Sequence, residues 1–211
     1  MIKGFITGVV VANAFEWFAH KYVLHGVHRV GQSRYSPVPR SMKSHWEHHR
    51  EVRKEVFSDY GYVEGLENWR VRNELLSLAV VGVVFSGLSY KVSKGFAFAT
   101  WYSAVNYFYV HRKAHLEPEW AKRNIPWHYD HHMNSNQDAN WCVTKPWFDY
   151  VMGTRVVSDL KLKEQNPIGI HLPHHVAALL SHNIQKFFPI KMAESKTNEL
   201  KMPILVSSKK C

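Results

Sequence analysis

Cysteine is nearly absent from this 211-residue chain, which has only Cys142 and Cys211. Two thiols so far apart exclude a disulfide framework and a cysteine-type zinc site, and they leave the redox compartment open. No G-x-G-x-x-G run is present, so no flavin or nicotinamide is held through that fingerprint. Acids are the scarcer sign of charge, 17 Asp+Glu against 27 Lys+Arg, a net +10. Such an excess fits nucleic acid or an anionic membrane surface. The bases are dispersed among histidines, tryptophans and acids with no nucleic-acid module, which argues against the former. Apolar runs are short, charged residues make up 21%, and mean hydropathy is −0.31, so on composition alone the chain reads as soluble. A mass of 24.6 kDa allows one domain or at most two.

Histidine is what the chain has in excess, 15 in all. Ten of them fall into four groups: His20 and His25; His45, His48 and His49; His111 and His115; His128, His131 and His132. On a helix, offsets of three and four bring imidazoles to one face, within reach of one metal centre, and imidazole is a good ligand for Zn, Fe, Cu or Ni. A single H-x3-H is ordinarily surface or core decoration. Four groups supply the ligands for two metals with no carboxylate among them. His20 and His25, five apart, point about 140° away from each other on a regular helix. Either they serve different metals or the helix is distorted there. His28 reads as a surface residue. His171, His174 and His175 form a further cluster, but Pro173 inside it suits a helix start better than a ligand-bearing helix.

Local patterning overrides the soluble composition. Residues 2–19 form an almost continuous apolar run interrupted by Glu16, about 27 Å long as a helix. Lys3, the apolar core and Ala12-Asn13-Ala14 also mimic the three parts of a signal peptide. Continuity into His20 and His25 favours a retained span. Asn73–Tyr90 and Gly95–Val110 are second and third candidate spans joined by Lys91–Lys94, with a buried hairpin as the bland alternative. Trp101, Tyr102, Tyr107, Phe108 and Tyr109 suit a lipid interface or a lipid-lined pocket. Three spans place all ten histidines on one side of a membrane. Only Lys3, Lys91 and Lys94 fall on the other, so the positive-inside rule makes the histidine face cytosolic.

Between and after the spans, Ser41 or Ser44 is the expected cap of a helix carrying His45–His49. Gly31–Pro39 reads as a loop. Asn134, Asn136, Gln137, Asp138 and Asn140 are either partners for ring nitrogens or a polar loop. Glu16, Glu47, Asp130 and Asp138 are candidates to offset metal charge. Pro146–Gly153 reads as a turn followed by a short aromatic segment. Val176–Phe188 reads as an amphipathic interfacial helix. Residues 1–190 are expected to form one membrane-embedded domain and 191–211 a flexible tail.

EWFAHKYVLHG, SHWEHH, HRKAH and HYDHH followed by NWCVTKPWFDYVMGTR resemble, in this order, the fatty acid hydroxylase superfamily of lipid hydroxylases, sterol desaturases and carotenoid hydroxylases. The likeness covers roughly Glu16–Arg155. Trp147, Asp149 and Gly153-Thr154 look like that family's close after the last histidine group, while Cys142 stands where glycine is common. The resemblance implies an all-α integral membrane bundle of about three spans under a cytosolic histidine-rich cap. It implies two iron ions held by the ten histidines, sites that zinc can also fill on isolation. O2 is then the co-substrate and a lipid the substrate, acyl chain or sphingolipid ahead of sterol or carotenoid. Electrons come from a separate ferredoxin or cytochrome. The expected location is the endoplasmic reticulum in a eukaryote or the inner membrane in a bacterium. A desaturase of the same superfamily, a non-redox membrane zinc-binding protein and a membrane metallohydrolase are the competing readings. The shortage of carboxylates near the histidines argues against the last.

Overall fold

The computed structural model describes residues 1–26, 43–134, 136–157, 168–170, 172–188 and 190–192. The expected Gly31–Pro39 loop, Ser41, His28, His171 and nearly all of the 191–211 tail lie outside the described residues.

The architecture is helical. The chain opens with α1 (Ile2–Phe18), which runs on as a π-helical turn over Ala19–Leu24. Helix α2 (Ser44–Lys54) and the short α3 (Gly61–Glu64) follow, then two long helices, α4 (Trp69–Ser89) and α5 (Lys94–Leu116). Short helices α6 (Pro118–Asn124), α7 (Pro126–Met133) and α8 (Trp147–Val151) complete the cap, and α9 (His174–Phe187) lies beyond it. The described strands are β1 (Val156–Val157) and β2 (Lys191–Met192), paired in parallel with Val156 opposite Lys191.

The local rules for these boundaries are visible. Asn68 and Ser93 cap α4 and α5 by accepting from the backbone N–H of Arg70 and Phe96. Proline stands at the first position of α6 and of α7, where its missing N–H costs nothing. Pro173 precedes α9 as its position in the sequence implied. The expected serine cap of α2 is corrected: Lys43 holds that place without a side-chain bond, and the Ser44 hydroxyl instead accepts from Asn73 Nδ2 at 2.8 Å.

Small residues bring α1, α4 and α5 together. A Cβ on Gly8 would collide with Ala99 and the Phe96 backbone, and one on Gly82 with the Trp101 ring. Close approach through small residues is how helices pack where burial alone does not drive them together. A Cβ on Gly95 would overlap the Met1 carbonyl, so the start of α1 and the α4–α5 turn share one end of the bundle. Every described member of the ten histidines lies at the other.

Two helices are long and apolar enough to cross a membrane, Ile2–Leu24 and Trp69–Ser89, and few of their side chains are buried. Val80, Val83 and Leu88 on α4 and Ile6 and Val10 on α1 are exposed. The third expected span is helical and longer than expected, continuing from the apolar segment through His111 and His115. Its tyrosines, Asn106 and basic end leave it outside the two that meet the length and apolarity test.

Candidate metal centre

The ten grouped histidines meet at one end of α1, α4 and α5. Nine are buried and His45 is half-buried. One side-chain nitrogen from each of His20, His25, His49 and His131 lies within 4.8 Å of the other three, and the same holds for His48, His111, His115 and His132. His45 joins the first set, its Nε2 3.0 Å from that of His20 and 3.1 Å from that of His49. His128 joins the second, its Nε2 3.2 Å from that of His115. The sets adjoin: the His49 and His132 rings lie 4.1 Å apart between centroids.

The partition is set by helical phase. His45 and His49, four apart, share the first set, and His128 and His132 the second. The expectation that an offset of three also serves one centre is corrected, because His48 and His131 each cross to the other set. Adjacent residues differ by roughly 100° around a helix. Each H-x2-HH run therefore straddles both sets, and the His48-His49 and His131-His132 pairs form the seam.

The distance of five between His20 and His25 finds its explanation in the π-turn. The His25 N–H donates to the His20 carbonyl, an i to i+5 bond that widens the turn by one residue. Residues five apart then share a face, and both rings point into the first set. Of the two alternatives left by the sequence, the distorted helix holds.

A ring that presents one nitrogen inward can be held from outside by the other, and five of the ten are. In the first set the holders are backbone carbonyls: His20 Nδ1 donates to Trp141 O at 2.5 Å and His131 Nδ1 to Ala139 O at 2.7 Å. In the second they are mostly carboxylates. His48 Nδ1 bonds Asp59 Oδ2 at 2.7 Å, and Arg70 bonds the other Asp59 oxygen at 3.0 Å. His111 Nδ1 bonds Glu74 Oε1 at 2.7 Å, with the Tyr62 hydroxyl donating to Glu74 Oε2 at 2.7 Å. His115 Nδ1 donates to Phe57 O at 2.8 Å. Fixing Nδ1 selects the tautomer whose Nε2 lone pair faces the centre.

The two stretches that supply these three carbonyls are both strained in backbone. Val56 and Phe57 have φ of 50° and 81°, beside the carbonyl that takes His115. Asn140 has φ of 57°, between the two carbonyls that take His131 and His20. Such conformations cost roughly 1–3 kcal/mol each for ordinary residues and persist when the surroundings enforce them; Asn tolerates the left-handed region better than Val.

The 139–144 loop is enforced from both sides. Asp149 accepts from the N–H groups of Trp141 and Cys142 at 2.8 and 2.9 Å and from the Thr154 hydroxyl at 2.7 Å. Glu16 accepts from Thr144 N and Oγ1, each at 2.8 Å, and from Val143 N. Glu16 thus holds the loop rather than a ring. Asp59 and Glu74 are the carboxylates on the rings, and Glu47 is not bonded to one. The Asn-rich stretch acts through its backbone: Asn140 itself pairs with Val156.

Apolar residues seal the ring cluster. Val52, Phe57, Ile125, Trp127 and Tyr129 pack on the side of the second set, and Trp17 and Trp141 on that of the first. Burial is the largest cause holding the His45, His48, His49, His128 and His132 rings well below the usual histidine value, with neighbouring imidazoles adding to it. His131 is lowered to about 4 by burial, against the opposing bond to Ala139. Neutral rings are the ligating form. Buried nitrogens of His48, His49, His111, His128 and His132 have no hydrogen-bond partner among the described residues, a state that costs about 1–3 kcal/mol apiece unless another acceptor of their lone pairs is present. Burial pushes the Cys142 thiol up, and its N–H is committed to Asp149, so it belongs to the loop. His175 is exposed and outside both sets.

The rings form one end of a cavity of about 550 Å³ between α1, α4 and α5. It runs from Gly8 on α1 and Phe96 near the start of α5, past Leu78 and Tyr107, to His20, His45, His48 and His111. Two buried four-histidine sets, each with a fifth ring beside it, can hold two metal ions at one end of this pocket. No protein-family model, curated protein or solved structure matches the chain.

Proposed function

We propose that the chain is a membrane-bound oxygenase that uses O2 and two iron ions to hydroxylate an unactivated C–H bond of a lipid. The observation that carries this reading is the shared cavity: one pocket walled by the apolar faces of three long helices ends on histidines of both sets. A structural zinc site is closed by four protein ligands and needs no such pocket. Iron held there would supply the two-electron activation of O2 that side chains alone cannot.

The chain's own residues do the rest. The α1, α4 and α5 walls align an extended apolar chain with its target carbon against His20, His45, His48 and His111. Trp17, Phe57, Trp127 and Trp141 keep water from the rings, which prevents loss of the oxidant to solvent. Asp59 and Glu74 place negative charge beside the second set, offsetting part of what two divalent ions bring to ten neutral ligands. The all-nitrogen ligand set, with the cavity carboxylates Glu16, Asp59 and Glu74 already committed to the loop and to ring nitrogens, weighs against a hydrolase.

In this reading α5 is a third span alongside the two apolar helices. The histidine end faces the cytosol, because among the described residues Lys3, Lys91 and Lys94 are the only basic side chains at the opposite end. A ferredoxin or cytochrome supplies electrons from that side. The test is incubation of purified, iron-loaded protein in lipid with a reductant system and 18O2. A hydroxylated lipid carrying 18O is the expected product. A new alkene without 18O assigns the desaturase reading. Tight zinc with no product, or ester or phosphate turnover without O2, overturns the oxygenase.

A further inference from the structure

Midway along the cavity wall α5 presents Ser103, Asn106 and Tyr107, with the more exposed Tyr102 at their edge. None of them makes a side-chain hydrogen bond among the described residues. Thr100 and Ser77 face the same space but spend their hydroxyls on the carbonyls one turn back, Phe96 and Asn73. A carboxamide left open inside an apolar bundle is costly, and such residues are retained where they meet a ligand.

Asn106 stands five residues before His111, about 7.5 Å along the helix. Tyr107 bridges that interval, its ring 5.4 Å from the His111 ring. Every charged side chain lining the cavity is already engaged. Glu16 holds Val143 and Thr144, Glu74 holds His111 and Tyr62, Arg70 holds Asp59, and Lys145 donates to the Gly169 carbonyl. Asp59 is shared by His48 and Arg70.

We infer that this α5 triad is a recognition site for an uncharged hydrogen-bonding group, a hydroxyl or an amide, carried on the substrate's chain a few bonds from the carbon presented to the histidines. The carboxamide of Asn106 can donate and accept at once, which suits either group, and no free charge is at hand to neutralise an ionic one. A plain hydrocarbon fills the same volume but leaves the amide unpaired, which is the condition under which a polar pocket rejects an apolar analogue. The inference rests on the oxygenase reading for the identity of the bound molecule as substrate; the binding itself is independent of turnover.

The experiment uses metal-loaded protein in detergent micelles containing equimolar 1-octadecanol and octadecane, with the retained lipid read by native mass spectrometry against the micelle ratio. The wild-type chain is expected to retain the alcohol over the alkane by about tenfold or more. Asn106→Leu is expected to bring the two near parity with the metal count unchanged. Parity in the wild type overturns the inference whether or not the variant folds, and so does selectivity that survives the substitution. Because no oxidation is needed, a chain that discriminates the two lipids yet yields no oxidised product contradicts the oxygenase and not the recognition site.

Discussion

The two histidine sets are built from the same ligand and fastened in opposite ways. Backbone carbonyls of one loop hold His20 and His131, whereas Asp59 and Glu74, from separate elements, hold His48 and His111. A carboxylate behind an imidazole raises its basicity and brings negative charge close, while a carbonyl fixes the ring without adding a charge. The second set is therefore the stronger electron donor. The first depends on backbone shape: a π-turn, a left-handed Asn140, and a loop clamped by Glu16 and Asp149.

That contrast can be broken one side at a time. The largest effect is expected from inserting an alanine after Tyr22, which puts His25 six residues from His20, beyond what the π-turn absorbs, and swings it about 100° from its partners. Metal analysis should then find one tightly bound ion per chain in place of two; retention of both contradicts the role given to the turn. Asp59→Asn acts on the other set and should weaken metal binding there by about 10–100-fold with the first ion retained. Equal weakening at both, or at neither, contradicts the division of supports. Competition against a graded series of chelators reads this directly.

Acid supplies a broader and shallower test. The His131 ring is held to about 4 against a usual 6.5, so between those values the unfolded chain binds the proton that the folded chain refuses. Stability of chelator-treated protein therefore falls as pH drops from about 6.5 towards 4, by up to about 1.4 kcal/mol per pH unit for each such ring. The other buried rings depressed by burial steepen the loss. A thermal unfolding midpoint that stays level across this range contradicts the neutral, buried cluster.

Much of this was legible in the chain. Histidine spacing named the ten residues that come together, apolar runs located the long helices, and Pro173 marked the start of α9. What escaped was set by distance along the sequence or by backbone conformation. Asp59, Tyr62 and Glu74 lie 11 to 49 residues from the rings they hold, without a motif of their own. The strained Val56-Phe57 turn has no glycine to announce it. The Asn-rich loop drew notice for its side chains, yet the carbonyls of Ala139 and Trp141 carry the contact. Only the H-x4-H spacing signalled the π-turn, as a mismatch with regular helical phase.

The most direct measurement is an anomalous difference map, collected at the iron edge, from crystals of iron-loaded protein. Two peaks are expected, one among His20, His25, His45, His49 and His131 and one among His48, His111, His115, His128 and His132. A single peak, or iron bound away from these rings, would contradict the two-set centre.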